Sequence, residues 1–223
     1  MDITEVTGQP LSSLVSDQLI CKDCHIVDRD HERSRVGYAC PTCGKASEGG
    51  RLYFSINIHI LVDLIQESYH SSATSTSGRL YEGVGSHDIS VIIYFCTLRE
   101  TLLDKFITEL LLAQNIPEGV CERLLSDNKF HIQKQDKLFK SLTNVKWKDA
   151  VTSLSKSSEL KYSDIDDFVL CVVKARNNFI HEASKWSIDR ELSTSCIKNI
   201  WGLINLYVGL HNTYVHPIYK KRL

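Results

Sequence analysis

Arg176-Asn177-Asn178-Phe179-Ile180-His181 brings an arginine, an amide directly after it and a histidine five positions on into one short stretch. Metal-free phosphodiester cleavage needs those chemical functions. An unperturbed imidazole titrates at about 6.5, close to working pH, so His181 suits proton transfer. The planar fork of Arg176 can donate to two phosphate oxygens at once and stabilise the charge growing on them. Asn177, one helical turn before His181, is placed to orient the imidazole or the phosphate. Asn178 and Glu182, four apart, are secondary candidates that a helical surface pair explains as well. No Walker, Rossmann or serine-nucleophile motif is present. The nucleophile is then the substrate's own 2′-hydroxyl, the products are a 2′,3′-cyclic phosphate and a 5′-hydroxyl, and DNA is left intact.

The helix that carries these residues limits what one copy can do. At about 100° per residue, Asn177 and His181 share a face, whereas Arg176 stands about 140° from His181. Either the helix loosens here, or two copies of the motif meet across an interface. The second option predicts a homodimer through the motif helices.

Cys21/Cys24 and Cys40/Cys43 form a second constellation, two C-x-x-C turns separated by fifteen residues. Four thiolates brought together in this way surround one tetrahedral ion, and the spacing favours zinc over an iron–sulfur cluster. Four protein ligands leave no open position for water, so one structural Zn(2+) per chain and no catalytic metal are expected. His25, beside Cys24, reads as a neighbour rather than a ligand. The loop between the pairs mixes Arg29, Arg33 and Arg35 with Asp28, Asp30 and Glu32, which supports a docking or stabilising role at least as well as nucleic-acid binding. Chelation is expected to unfold this ribbon and leave most helical signal intact. Cys96, Cys121, Cys171 and Cys196 are scattered through apolar pattern and read as small buried hydrophobes.

The positioning elements are helices. After Gly49-Gly50 the pattern changes from short turns to long apolar segments, dividing a zinc ribbon with its N-terminal tail (1–50) from a helical domain (51–223). Residues 52–60 alternate like a strand, yet Phe54, Ile58, Leu61 and Ile65 also make a helical stripe running on to Tyr69, and length favours the helix. Ser71–Gly85 reads as a loop, a plain surface loop before a lid. A long helix runs from near Asp88 to before Pro117. Its Arg99-Glu100 pair either faces the cleft or lies solvated on the outer face, and base rates for charged residues favour the outer face. The motif helix starts near Asp164, its cap, and the last helix spans roughly Asp189–Tyr214, stopped by Pro217. His211 and His216 read as structural or surface histidines. In the window 129–148, Lys129, Lys134, Lys137, Lys140, Lys146 and Lys148 stand against the single acid Asp136. With Phe130, Phe139 and Trp147 interleaved, Lys134, Lys137 and Lys140 are candidates for tracking an RNA backbone. The competing reading, an amphipathic helix with lysines on its wet side, is favoured.

Arg176, Asn177 and His181, late in a penultimate helix, resemble the R-N-x-x-x-H motif of HEPN domains (higher eukaryotes and prokaryotes nucleotide-binding). The resemblance covers roughly residues 51–223. It implies an all-α, up-and-down helical bundle that dimerises through the motif helices, here with a small N-terminal zinc ribbon. It implies a metal-independent endoribonuclease of toxin–antitoxin or antiviral-defence type acting on RNA, with an antitoxin or defence-system protein as partner. In one subgroup the motif continues as H-x-Y, with a modifiable tyrosine. This chain reads His181-Glu182-Ala183, which argues against that route of regulation. The alternative is a non-catalytic HEPN dimer binding RNA, nucleotide or a partner protein, and a third reading is a zinc-stabilised adaptor.

The 223 residues carry 26 basic and 27 acidic side chains for a net charge of −1, so any nucleic-acid surface is local. The first residues have no apolar run, and the Ile89–Leu112 stretch is broken by five charges. A soluble, cytoplasmic chain without membrane contact is expected.

Overall fold

A computed structural model describes residues 10–74, 79–81, 84–182 and 188–223. The first nine residues, parts of the expected 71–85 loop, and Ala183 of the H-x-Y comparison lie outside the described residues. The fold is mostly helical with a small three-stranded sheet. In chain order the elements are α1 (Leu11–Ser16), β1 (Leu19–Ile20), β2 (Val27–Asp28), a 3₁₀ turn (His31–Ser34), β3 (Arg51–Leu52), α2 (Ile56–Thr74), β4 (Arg79–Tyr81) and β5 (Val84–Gly85). There follow α3 (Ser86–Ala113), α4 (Glu118–Asp127), α5 (His131–Gln133), a π-helical stretch (Lys134–Phe139), α6 (Lys140–Thr143), α7 (Trp147–Lys156), α8 (Tyr162–Glu182), α9 (Arg190–Tyr214) and α10 (His216–Lys220).

These elements make two compact units, each assembled from three stretches of chain. One comprises residues 1–15, 55–99 and 164–204. Its core is largely aliphatic, with Ile58, Val62 and Ile65 of α2, Val91 and Ile92 of α3, and Ile197 and Ile200 of α9 all buried together with Phe95 of α3. Phe95 meets Phe168 edge-on at 6.0 Å. A Cβ on Gly202 of α9 would lie 2.2 Å from Ile165 Cδ1, so a larger residue there would have to displace the end of the Ile165 side chain of α8. Arg190 lies 3.8 Å over the Tyr69 ring and bonds Asp88 Oδ1 at 3.1 Å.

The other unit comprises residues 16–54, 100–163 and 205–223. Its sheet has the order β2-β1-β3, antiparallel throughout, with Ile20 opposite Val27 on one side and Arg51 on the other. Its core is aromatic: Phe106, Phe139, Trp147 and Tyr207 contact one another with centroids 5.4 to 6.5 Å apart.

The ambiguous 52–60 segment divides. Arg51–Leu52 pairs as β3, and the helix starts at Ile56, burying Ile58 while Ile56 and Ile60 face out. The motif helix begins two residues before Asp164, because Ser155 Oγ accepts from the Ser163 backbone N–H at 2.9 Å and caps the turn. Arg99 corrects the outer-face reading: it is buried, whereas Glu100 is exposed. It stands four residues after Phe95 and four before Leu103, on the apolar stripe of α3, and that helical register outweighs its charge.

Candidate metal centre and motif helix

The two cysteine turns are built alike. Cys21 N donates to Ile26 O and Cys40 N to Lys45 O, both at 2.9 Å, and the residue after each second cysteine turns into the left-handed region, His25 at φ 58° and Gly44 at φ 74°. That turn points two thiols and several backbone N–H groups the same way. All four sulfurs lie within 4.8 Å of one another, with Cys21–Cys43 and Cys24–Cys40 at 3.9 Å. Metal–sulfur bonds of about 2.3 Å in a tetrahedron require sulfurs about 3.8 Å apart, so the cluster fits a single ion and is compatible with a zinc ribbon.

Electrostatics differ between the cysteines. Burial pushes the Cys24 thiol up. For Cys40 burial acts in the same direction, but the Arg33 guanidinium and the Cys43 and Thr42 backbone N–H groups outweigh it and bring the thiol down to about 6. Arg33 Nη1 lies 3.1 Å from Cys40 Sγ. The loop arginines are each paired, Arg29 with Asp17, Arg33 with Asp28 and Arg35 with Glu32, which turns them toward holding the ribbon together.

The ribbon is seated on helical residues of its own unit. His216 Nδ1 bonds the Cys24 carbonyl at 2.5 Å, and His211 Nε2 bonds the His25 carbonyl at 2.7 Å. Asn212 Oδ1 accepts from Val27 N at 2.9 Å while its Nδ2 donates to Val27 O at 2.7 Å, closing the outer edge of β2 as a neighbouring strand would. The His25 ring stacks on Tyr219 at 3.6 Å, which makes His25 a docking residue and not a ligand. Behind His211, Glu109 accepts from His211 Nδ1 at 2.8 Å, from Tyr53 Oη at 2.9 Å and from Lys105. Burial would raise the Glu109 carboxyl, but His211 and Lys105 outweigh it and hold it below the ordinary range. These docking residues are invisible to motif scanning. Their one sequence signal is the cluster of His211, Asn212 and His216 around the end of an apolar helix.

Arg176, Asn177 and His181 all lie on α8, which stays α-helical to Glu182, so the helix does not loosen across the motif. His181 is exposed and Asn177 half-buried. Exposed Leu170 and Lys174 each lie about 20° from His181 around the axis, forming one outward strip. Arg176 is half-buried, about 140° away, beside the positions of buried Val169, Val172 and Val173. Within one chain the helix therefore keeps Arg176 apart from the Asn177–His181 face.

The lysine window also divides. Lys134 is buried, with its ammonium bound to the Asp104 carboxylate, and this removes it from the RNA-facing candidates, because a buried cation already held by a carboxylate is not presented to a phosphate. Lys137 and Lys140 are exposed beside Ser141 and Asn144. Phe139 and Trp147 belong to the core, whereas Phe130 is 69% exposed.

No helix of the described residues is long and apolar enough to cross a membrane. Neither a protein-family model, nor a curated protein, nor a solved structure matches this chain.

Proposed function

We propose that this chain is a zinc-stabilised, HEPN-like endoribonuclease that cleaves RNA without a catalytic metal and works as a twofold dimer. The reading rests on the outward strip of α8, where exposed His181 has half-buried Asn177 one turn before it, beside Lys174 and an exposed Leu170. In the proposed mechanism His181 moves the proton of the attacking 2′-hydroxyl, Asn177 orients it, and Arg176 holds the scissile phosphate. Arg176 and His181 diverge on one helix, so a second copy of α8 is needed to bring a guanidinium to each imidazole. The four cysteines hold one structural zinc ion, and the ribbon serves the fold.

The test is incubation of the purified protein with RNA in excess EDTA. Cleavage to 2′,3′-cyclic phosphate ends is expected, absent on a substrate with a 2′-deoxy residue at the cleavage site, and reduced about 10²–10⁴-fold in His181→Ala. Equal cutting by that variant, or a requirement for magnesium, would overturn the assignment. One observation favours a second reading: the half-buried position of Arg176 suits a non-catalytic dimer that binds RNA, nucleotide or a partner protein. Binding without cleavage would select it.

A further inference from the structure

Arg33 is an unusual use of a guanidinium. It is only 3% exposed, yet it faces a sulfur atom rather than a second carboxylate. Its Nε and Nη2 donate to the two oxygens of Asp28 at 2.7 and 2.5 Å, which fixes the plane of the fork and directs Nη1 to Cys40 Sγ at 3.1 Å. The loop between the cysteine pairs is built to hold this aim. Asp30 Oδ1 accepts from Glu32 N at 3.1 Å to start the 3₁₀ turn, Tyr38 Oη donates to Asp30 Oδ2 at 2.7 Å, and Ser47 Oγ donates to the Arg33 carbonyl at 3.0 Å. Burying an arginine is costly unless its donors are met, so the sulfur that faces Nη1 should be a good acceptor, and a metal-bound thiolate is one.

We infer that Arg33 is a positioning residue of the metal centre: it donates a charge-assisted hydrogen bond to the Cys40 thiolate and thereby sets how firmly the ion is held. The inference rests on the reading that the four cysteines bind a metal. A divalent ion with four thiolates carries a formal charge of 2 − 4 = −2, and Cys21, Cys24 and Cys40 are buried, so water solvates this excess poorly. The guanidinium brings one positive charge to it. Asp28, which balances Arg33, has a side chain 36% exposed and keeps its own charge partly in water. Outer partners of this kind tune a centre as strongly as many direct contacts.

The experiment uses the full chain loaded with cobalt(II), titrated against a competing chelator, in wild type, Arg33→Gln, Arg33→Lys and Asp28→Asn. Wild type is expected to show the tetrahedral four-thiolate cobalt spectrum at one ion per chain. Arg33→Gln should keep that stoichiometry with about 10–100-fold weaker retention. Its sulfur-to-cobalt charge-transfer band should move to longer wavelength, because a thiolate that loses a hydrogen bond gives up its electrons more easily. A loss of fold alone would not move that band. Lysine cannot span Asp28 and Cys40 together, so Arg33→Lys should resemble Arg33→Gln. Asp28→Asn leaves the arginine but frees its fork, and should release cobalt several-fold faster than wild type; it serves if Arg33→Gln cannot be obtained folded. Unchanged retention and an unshifted band in folded Arg33→Gln, or an unchanged release rate in Asp28→Asn, would overturn the inference while leaving the metal site standing. Failure of wild type to bind cobalt through thiolates would remove both.

Discussion

His211 Nε2 donates to the carbonyl oxygen of His25 at 2.7 Å, joining the buried face of a long helix to the backbone of a cysteine turn. The same imidazole leans on Glu109 through Nδ1, so a chain of polar contacts runs from Lys105 and Tyr53 to the residue that follows Cys24. Burial first, and then Glu109, push the Tyr53 hydroxyl well up, so it stays a donor to the carboxylate. The ribbon is thus a member of a helical unit.

If the four cysteines hold zinc as proposed, its removal should act beyond the ribbon. If the cysteine turns collapse, His211, Asn212 and His216 lose their backbone partners and Tyr219 loses its stacking ring. These contacts lead us to expect coupled melting in place of the independent melting of the ribbon that chain order suggests. Chelator is expected to lower the helical melting temperature by several degrees under conditions where wild type with zinc is unaffected. Circular dichroism at 222 nm reads it, and an unchanged helical transition would contradict the docking.

Asn212→Leu should destabilise the protein by about 2–3 kcal/mol, because it strands both the N–H and the C=O of Val27 on the edge of β2. Asn212→Asp can still accept from Val27 N but cannot donate to Val27 O. It should fall between leucine and wild type on a urea unfolding curve.

Acid should weaken the same joint. Burial, with His211 adding to it, lowers the His25 imidazole to about 4, below the about 6.5 of an unfolded chain. A group whose charged form the fold disfavours gives stability that is present at neutral pH and lost as pH falls from about 6.5 toward 4. His25→Asn tolerates the left-handed backbone and removes the titration. Between pH 7 and 5, with zinc saturating, wild type is expected to lose about 1 kcal/mol more than this variant, a figure discounted for the partial exposure of the ring.

Mixed dimers test the motif geometry. One chain carrying Arg176→Ala and another carrying His181→Ala form one intact and one dead site if each site draws on both subunits. With equal amounts and free exchange half of the dimers are mixed, each with one intact site of two, so about a quarter of wild-type cleavage should return on mixing. If each chain supplies both groups to its own site, mixing restores nothing.

Sequence alone determined what is local. The spacing of Cys21, Cys24, Cys40 and Cys43 specifies two turns whose sulfurs can meet, because a C-x-x-C turn closes within five residues whatever surrounds it. Apolar periodicity likewise located α3, α8 and α9 to within a few residues, since a helix satisfies its own backbone. The 140° between Arg176 and His181 was equally legible, as it follows from helical geometry. Tertiary structure decided everything that depends on what lies across from a residue. It buried Arg99 and Lys134, whose long stems can follow an apolar stripe, and left Phe130 outside the core. It set the guanidinium of Arg33 against the Cys40 sulfur instead of a phosphate. It made His211, Asn212 and His216 the seat of a ribbon nearly two hundred residues away in the chain, a pairing of side chains with distant backbone that leaves no period or spacing to read.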